Sequence, residues 1–470
     1  MEAIANSVED KLIEGLSFKS KAGASYITER KSVTFHPQGS NIYSTNGTKL
    51  IKILLTGDQF ADPSTFRIAF DVVNMESDAD KKLRVLGGAH TFFRRMRILC
   101  GGTLVEDISD YNRVHEMFRI LNAKDANINT DAEAFGQQWD EAKASQYGGS
   151  DIHPDITTLG GIKGNESHTV LFKPCSGLFN QDKMLPLRYM PITIELELVN
   201  DSLEVIASKL DLGGTSDFTA ANTSLLWQLQ NVQVKVDCVT LDNQLDNSYA
   251  EHVLSGKALP INYQTYISQT QSTLTGDQGQ EKVRLNVTRA LSRLKNVFVT
   301  LNNETAYTPT TNLPANNVQF KYWNKFFSPY KSYTGEQGTN KSLNTFDKHG
   351  EIADFQIQVG SKNFPEYPVR SIQEAFYQLR KTLGSHDRHN SIDITSHEYK
   401  SDKFILGVDF EKVSEHGYTG INTRAGDIMS IRFDHTASSA QALNYAKEFQ
   451  IVLTADCVLE VKDSGVTVFD

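Results

Sequence analysis

Residues 183–199 read KMLPLRYMPITIELELV, and the second half of this stretch decides the fold. Ile192, Ile194, Leu196 and Leu198 alternate with Thr193, Glu195 and Glu197. A period of two places the first set on one side of a strand and the second on the other, the pattern of a half-buried β-strand. Pro186 and Pro191 precede the alternation. Either would remove a ladder donor from the middle of a sheet, so the strand is expected to start after Pro191. The run-in GLFNQDKMLP, with its Gly, Asn and Asp, is expected to turn. Such a sharply bounded strand, one face dry and one wet, belongs to an antiparallel sheet.

The same grammar continues on both sides. In the first half YITERKSVTF, KLIKILL, TFRIAFDVV, FRRMRIL, HTVLFKP and LLWQLQNVQVKVDCVTL are expected strands. In TFRIAFDVV, Phe66, Ile68, Phe70 and Val72 share a face. VEDISDYNRVHEMFRIL reads as a helix-like segment, with Asp110 as its cap and Val114, Met117, Phe118 and Leu121 as its apolar face. Residues 122–168 are polar and rich in Asn, Asp and Gly, a long excursion with one short helix expected near AEAFGQQWDEAKAS. DNQLDNSYAEHVLSG, residues 242–256, reads as a capped helical connector stopped by Gly256.

In the second half YQTYISQTQ, KVRLNVT, LKNVFVTLNN, VQFKYWNKFFSPY, DFQIQVG, KFILGVDFEKV, DIMSIRFDH and KEFQIVLTADCVLEV are the expected strands. DFQIQVG runs through SKNFPEYP into a helix, SIQEAFYQLRKTLG, with Ile372, Ala375, Phe376 and Leu379 on one face and Gly384 as its stop. Many short strands and few long helices place the chain in the all-β class, as sandwich or barrel. Residues 1–18 form an amphipathic pattern, Ile4, Val8, Leu12 and Leu16, expected to be a terminal arm that docks either on another surface such as a second subunit or on its own domain.

Two matches link the halves. Gly102 to Leu121 aligns without a gap on Gly360 to Leu379, bringing Val114, Glu116, Phe118 and Leu121 onto Ile372, Glu374, Phe376 and Leu379. Each copy runs from a Gly through a short loop holding a Glu, Glu106 or Glu366 (two residues out of frame with each other), into the helix. The tripeptide Asp-Cys-Val recurs at 237–239 and 456–458, late in the last expected strand of each half. Matching order and element type make a tandem pair of similar β-domains. The expected division is an arm at 1–25, a first barrel at 26–241, the connector at 242–256 and a second barrel at 257–470.

The remaining features narrow the function. The chain has 470 residues, enough for two cores. Its 47 basic and 57 acidic residues leave a formal charge of −10, against a protein whose main work is to grip nucleic acid. The basic run Arg94, Arg95, Arg97 is read as the polar positions of a strand. No apolar run approaches the length of a membrane span, and the first eighteen residues lack the apolar block of a secretory signal. Cys100, Cys175, Cys238 and Cys457 are far apart and form no Cys-x-x-Cys pair, so free buried thiols are expected rather than zinc. Asn-x-Ser/Thr triplets at Asn46, Asn165, Asn222, Asn286, Asn303 and Asn340 are read as by-products of composition.

Catalytic signals are sparse. No nucleophile elbow, phosphate loop or zinc-protease helix motif is present. Glu195 and Glu197 could pair as carboxylates but are read as a solvated strand face. His386, Asp387, Arg388, His389 and His397 offer nitrogen and oxygen ligands, without spacing that converges on a metal. The aromatic cluster Phe320, Tyr322, Trp323, Phe326, Phe327 and Tyr330 could stack on sugars or bases and is read as core or subunit interface. No catalytic, metal or cofactor residue is assigned, and a chain this long without a reactive constellation is expected to be structural.

GLFNQDKMLPLRYMPITIELELV resembles a framework strand of the double jelly-roll major capsid proteins of Polinton-like viruses, adintoviruses, virophages and related eukaryotic double-stranded DNA viruses. FRRMRILCGGTLVEDISDYNRVHEMF resembles the strand and helix of their first barrel, FQIQVGSKNFPEYPVRSIQEAFYQLRKTLG the second-barrel equivalent, and GINTRAGDIMSIRFD a late strand. The resemblance implies two tandem eight-stranded jelly rolls standing side by side, and a homotrimer that tiles an icosahedral shell. It also implies contacts with neighbouring capsomers, penton and minor capsid proteins, and a place in the virion. The competing reading is a tandem β-sandwich protein that binds or processes carbohydrate.

Overall fold

A computed structural model describes residues 27–85, 87–123, 133–135, 161–206, 224–272, 282–302, 326, 353–385, 392–401, 403–411, 420–424, 428–435 and 448–470. The first half supplies eight long strands: β1 (Ile27–Phe35), β2 (Leu50–Leu55), β3 (Arg67–Asn74), β4 (Phe93–Cys100), β5 (Thr103–Ser109), β6 (Ser167–Phe172), β7 (Ile192–Leu198) and β8 (Trp227–Leu241). They form two antiparallel sheets, ordered β1-β8-β3-β6 and β2-β7-β4-β5. Short bridging pieces at Ile42–Tyr43, Phe60–Ala61 and Leu185–Pro186 extend the first sheet.

The second half repeats this order. Its strands are β9 (Leu259–Ser272), β10 (Lys282–Val287), β11 (Leu294–Asn302), β12 (Ala353–Val359), β13 (Lys362–Val369), β14 (Ile405–Asp409), β15 (Met429–His435) and β16 (Glu448–Lys462). The sheets run β9-β16-β11-β14 and β10-β15-β12-β13. Each label is its first-half counterpart with eight added, so the two halves share one jelly-roll topology. The fold is all-β, two tandem eight-stranded barrels with helices in the connections. A further strand, β17 (Gly465–Phe469), pairs with the end of β16 and was not legible in the sequence.

The opening strand is β7, central in its sheet. Ile194 faces Ile53 of β2 on one side and Ile98 of β4 on the other, and all three are fully buried. Ile192, Leu196 and Leu198 are buried with them, so the dry face is as the alternation predicts. Pro191 ends the run-in, and its carbonyl accepts from the Gly101 amide at 2.8 Å.

Three expectations need correction. Residues 105–109 are strand, not the start of a helix. Gly101 and Gly102, both at positive φ, make a two-residue turn that folds β5 back on β4. This is the Gly-Gly hairpin signal, in which both central residues take φ above zero. SKNFPEYP likewise is no loop: β13 folds back on β12 across Gly360, and Pro365 is tolerated because β13 is an edge strand. Helix α1 (Tyr111–Leu121) starts after Asp110, but the Asp110 side chain does not cap it. Asp110 sits in the left-handed region, and its carboxylate accepts from Thr270 of the second half.

Three further helices complete the described chain: α2 (Asn243–Leu254), α3 (Ile372–Thr382) and α4 (Ser396–Ser401). The Asp242 carboxylate accepts from the Gln244 amide, and Gly256 turns the chain out of α2 at φ +81°. Ser371 caps α3 through the Glu374 amide. Helices α1 and α3 occupy the same place, between the fifth strand of their barrel and the sixth. The arm at 1–25 lies outside the described residues.

Candidate functional site

The barrels meet along a seam built by β5 and α1 of the first and β9, β11 and β16 of the second. Phe118 of α1 packs its ring 4.8 Å from Tyr266 and 5.7 Å from Phe298. Thr270 donates to Asp110 at 2.7 Å, and the Tyr263 hydroxyl donates to the Val105 carbonyl at 3.2 Å. Arg113 pairs with Glu448 at 2.9 Å, both side chains nearly buried. Gly177 approaches so closely that an added Cβ would lie 1.4 Å from the Gln264 carbonyl oxygen. Its φ of −68° is ordinary, so it is the contact and not the backbone that requires glycine there.

Glu106 of β5 lies beside this contact and is fully buried. Its carboxylate accepts from the Ser176 hydroxyl and from the Gly177 amide, the latter at 2.9 Å. It thereby ties the turn Leu178–Asn180 to the sheet. Burial pushes the Glu106 carboxyl up to about 7, against the pull of hydrogen bonds from Ser176, Gly177 and Leu178. Cys175 and Cys457 are pushed up to about 12, first by burial and then by Glu106 or other nearby carboxylates. A reactive cysteine needs an electropositive, partly exposed setting, so these thiols are inert packing groups.

A second buried cluster stands on α1. Glu116 accepts from the Arg119 guanidinium through two contacts at 2.8 Å and hydrogen-bonds His90 Nε2 at 2.9 Å. Burial alone would raise the Glu116 carboxyl; Arg119 and His90 outweigh it and hold it below the usual carboxylate range. The His115 ring stacks on His90 at 4.1 Å, and burial followed by His90 lowers its basicity well below the ordinary value. Paired and fully enclosed, this network serves packing: removing one partner would strand a buried charge.

The sequence candidates are placed as follows. Glu195 and Glu197 do share the outer face of β7, but that face is half-buried, not open. Glu195 lies directly between Lys52 and Arg97 on the flanking strands and pairs with both, at 3.5 and 2.7 Å. Arg95 pairs with Asp107 at 2.6 Å. The rung Lys52-Glu195-Arg97-Asp107 alternates in sign across four strands, and with the Arg95–Asp107 pair it accounts for Arg95 and Arg97 of the basic run. His386, Asp387, Arg388 and His389 lie outside the described residues, as do Phe320, Tyr322, Trp323, Phe327 and Tyr330. His397 falls within α4. Phe326 is buried and bridges to Lys403. The four cysteines are free thiols. Among the described residues no three His, Cys, Asp or Glu converge on a metal position, and no helix is long and apolar enough to cross a membrane. A cleft of about 360 Å³ opens beside the seam, lined by Asn180, Gln181, Asn262, Tyr266 and Asp456 among others. In the sequence Glu106 stands out only as the Glu of the repeated segment, not as a buried group, and Gly177 does not stand out at all, because neither residue type carries a periodic signal.

A scan of protein-family models and a search of curated proteins each find no match. Among solved structures, the chain is similar to VP54 of PBCV-1 as fitted into a reconstruction of the virophage Sputnik. Identity there is 12%, the TM-score 0.59, and the alignment covers 96% of this chain and 99% of that one. A chain of the Sputnik virophage structure is similar at 10% identity and TM-score 0.60, with 98% and 92% covered. The Faustovirus major capsid protein is similar at 9% identity and TM-score 0.52, with 95% and 92% covered. Identities this low report the fold, and over nearly its whole length this chain has the double jelly-roll fold of those viral chains.

Proposed function

We propose that this chain is the structural major capsid protein of a double-stranded DNA virus, and not an enzyme. Three copies form a pseudo-hexameric capsomer, and capsomers tile an icosahedral shell in the virion. The observation that carries this reading is the repeated strand order: two barrels with one topology, joined by a packed seam, span nearly the full length of chains such as the Faustovirus major capsid protein. Such sheets also suit a protein made in many copies where their edges are blunted, as the two prolines of β13 blunt one.

Within this reading the chain divides into an arm at 1–25, barrels at 26–241 and 257–470, and a connector at 242–256. The arm ties capsomers to neighbours or to minor proteins beneath the shell, and penton proteins fill the vertices. The carbohydrate reading has lost its carboxylate pair, because Glu195 is neutralised by Lys52 and Arg97. Light scattering and electron microscopy of the purified chain test the proposal. Trimeric, pseudo-hexagonal particles are expected; a monomer that binds an oligosaccharide would overturn it.

A further inference from the structure

Glu106 is tied to two contacts between the barrels. Val105, its neighbour in β5, accepts from the Tyr263 hydroxyl across the seam at 3.2 Å. Gly177, which donates to the Glu106 carboxylate at 2.9 Å, packs directly on the Gln264 carbonyl. Tyr263 and Gln264 are consecutive residues of β9, so both contacts fall on one short piece of the second barrel. Gly177, Tyr263 and Gln264 also line the cleft beside the seam. Glu106 itself is enclosed, but Gly177 alone separates its carboxylate from that cleft.

The titratable groups that feel the Glu106 charge come from both barrels. They are Cys100 of β4, Tyr111 of α1, Cys175 beside the turn, Tyr263 and Tyr266 of β9, and Cys457 of β16. All are weak acids that burial pushes higher still, so all stay neutral at physiological pH. Among the described residues no lysine, arginine or histidine acts on Glu106. Asp456 lines the cleft as well, but it pairs with Lys295 at 3.6 Å. Glu116 on α1 is the contrast: equally enclosed, it is paired with Arg119 and bonded to His90. An enclosed carboxylate with no cation beside it keeps its charge at a high cost unless water reaches it.

We propose that Glu106 is a proton-operated clamp on the seam between the barrels. With its proton in place, the carboxyl holds the turn to β5 and the seam stays dry. Once the proton leaves, water enters through the cleft, and the Val105 and Gly177 contacts part together. The step is one proton exchange: the carboxyl O–H bond breaks, its electron pair stays on the carboxylate, and the proton passes to the entering water. That water then competes with the Ser176 hydroxyl and the Gly177 amide for the same oxygens. The sign follows from burial. Opening returns the carboxyl from about 7 to its ordinary value of 4.5, so the closed seam holds the proton more tightly than the open one. Opening is therefore hardest below about pH 4.5, eases as pH rises and levels off above about 7. The clamp lies within one chain and is independent of how copies assemble.

Cys457 and Cys238, the cysteines of the repeated Asp-Cys-Val, report on the clamp. Both are buried free thiols. Cys457 faces Tyr263 at the seam, whereas Cys238 faces Lys31 and Ala61 within the first barrel. The experiment follows iodoacetamide labelling of each thiol by mass spectrometry over a pH series, in the folded native chain and in Glu106→Gln. Comparison at equal pH cancels the ionisation of the thiols themselves. The native-to-variant ratio of rates at Cys457 is expected to rise about tenfold or more from about pH 5 to about pH 8, while the ratio at Cys238 stays level. A flat ratio at Cys457 would overturn the clamp. An equal rise at both cysteines would overturn it too, because the proton would then govern unfolding of the whole chain and not the seam. Should Glu106→Gln fail to fold, the Cys457-to-Cys238 ratio of rates in the native chain decides by the same rule: a rise of about tenfold over that range supports the clamp, and a level ratio overturns it.

Discussion

Replacing Glu106 with glutamine removes a charge and little else. The glutamine carbonyl can still accept from Gly177, and its amide can donate to the Ser176 oxygen once that hydroxyl turns. What changes is the response to pH. Burial raises the Glu106 carboxyl from 4.5 to about 7 in the folded chain. A raised carboxyl means the folded state holds its proton more tightly than the unfolded state does. Its contribution to stability is therefore complete below about pH 4.5 and is lost as pH rises through about 7. At about 1.4 kcal/mol per pKa unit, the loss amounts to about 3 kcal/mol. Denaturant unfolding of native chain and Glu106→Gln at a series of pH values between those limits isolates the term, because every other titrating group is common to both. The variant is expected to match the native chain in acid and to exceed it by about 3 kcal/mol above neutrality. Glu106→Ala should instead be weaker at every pH, since it strands the Ser176 and Gly177 donors beside a cavity. A native-to-glutamine difference that stays flat across the range would refute the reasoning, because it would mean that Glu106 carries its charge at no cost in the seam.

Three further outcomes follow from the same geometry. Gly177→Ala forces a Cβ to within 1.4 Å of the Gln264 carbonyl, so the barrels must separate locally; a loss of about 3 kcal/mol or more is expected in unfolding experiments, while Gly57→Ala, which meets only an amide at 4.0 Å, should cost little. Leu196→Asp puts a carboxylate into the fully buried face of β7 and is expected to abolish soluble folded protein, read by expression and circular dichroism. Glu195→Gln removes a partner from Lys52 and Arg97 on a half-buried face and should cost only about 1 kcal/mol, with the fold intact.

The strands were legible wherever one face is buried and the other is not. Alternation fixed β3 and β7 closely, and the helix α3 was bounded by Ser371 and Gly384 as capping chemistry requires. Segments that pair at an edge or serve two partners were not legible in this way. Strand β5 carries consecutive buried residues, Val105 and Glu106, where its pairing with β4 shifts register: Ile98 faces Glu106 but Leu99 faces Leu104, and Val105 is left between them. That breaks the period of two, and only the Gly101-Gly102 turn announced the hairpin. Strand β13 contains two prolines and almost no buried residue, so it lacks strand character by composition; its pairing with β12 holds it. The outer face of β7 looked open because its acids are polar, and nothing local tells that Lys52 and Arg97 lie across from Glu195.

The two equivalent helices show why burial on all sides was the hardest feature to foresee. Val114, Phe118 and Leu121 of α1 match Ile372, Phe376 and Leu379 of α3, and this stripe alone predicts two helices that each bury one face. The second face of α1 carries Arg113, His115, Glu116 and Arg119, residues that normally mark a solvated surface. Here each is satisfied at short range: Arg113 by Glu448 across the seam, Glu116 by Arg119 and His90, His115 by the Tyr111 hydroxyl and the His90 ring. Those partners come from sequence positions before the helix, within it and over three hundred residues away. A charged face becomes a buried one only when such partners exist, and they are a property of the assembled barrels. By the same logic Gln373, Glu374 and Tyr377 of α3 state nothing by composition about whether they meet water or a second chain. They match His115, Glu116 and Arg119 of α1, and what buries those three is a set of first-barrel partners, His90 above all, so the partners and not the composition decide.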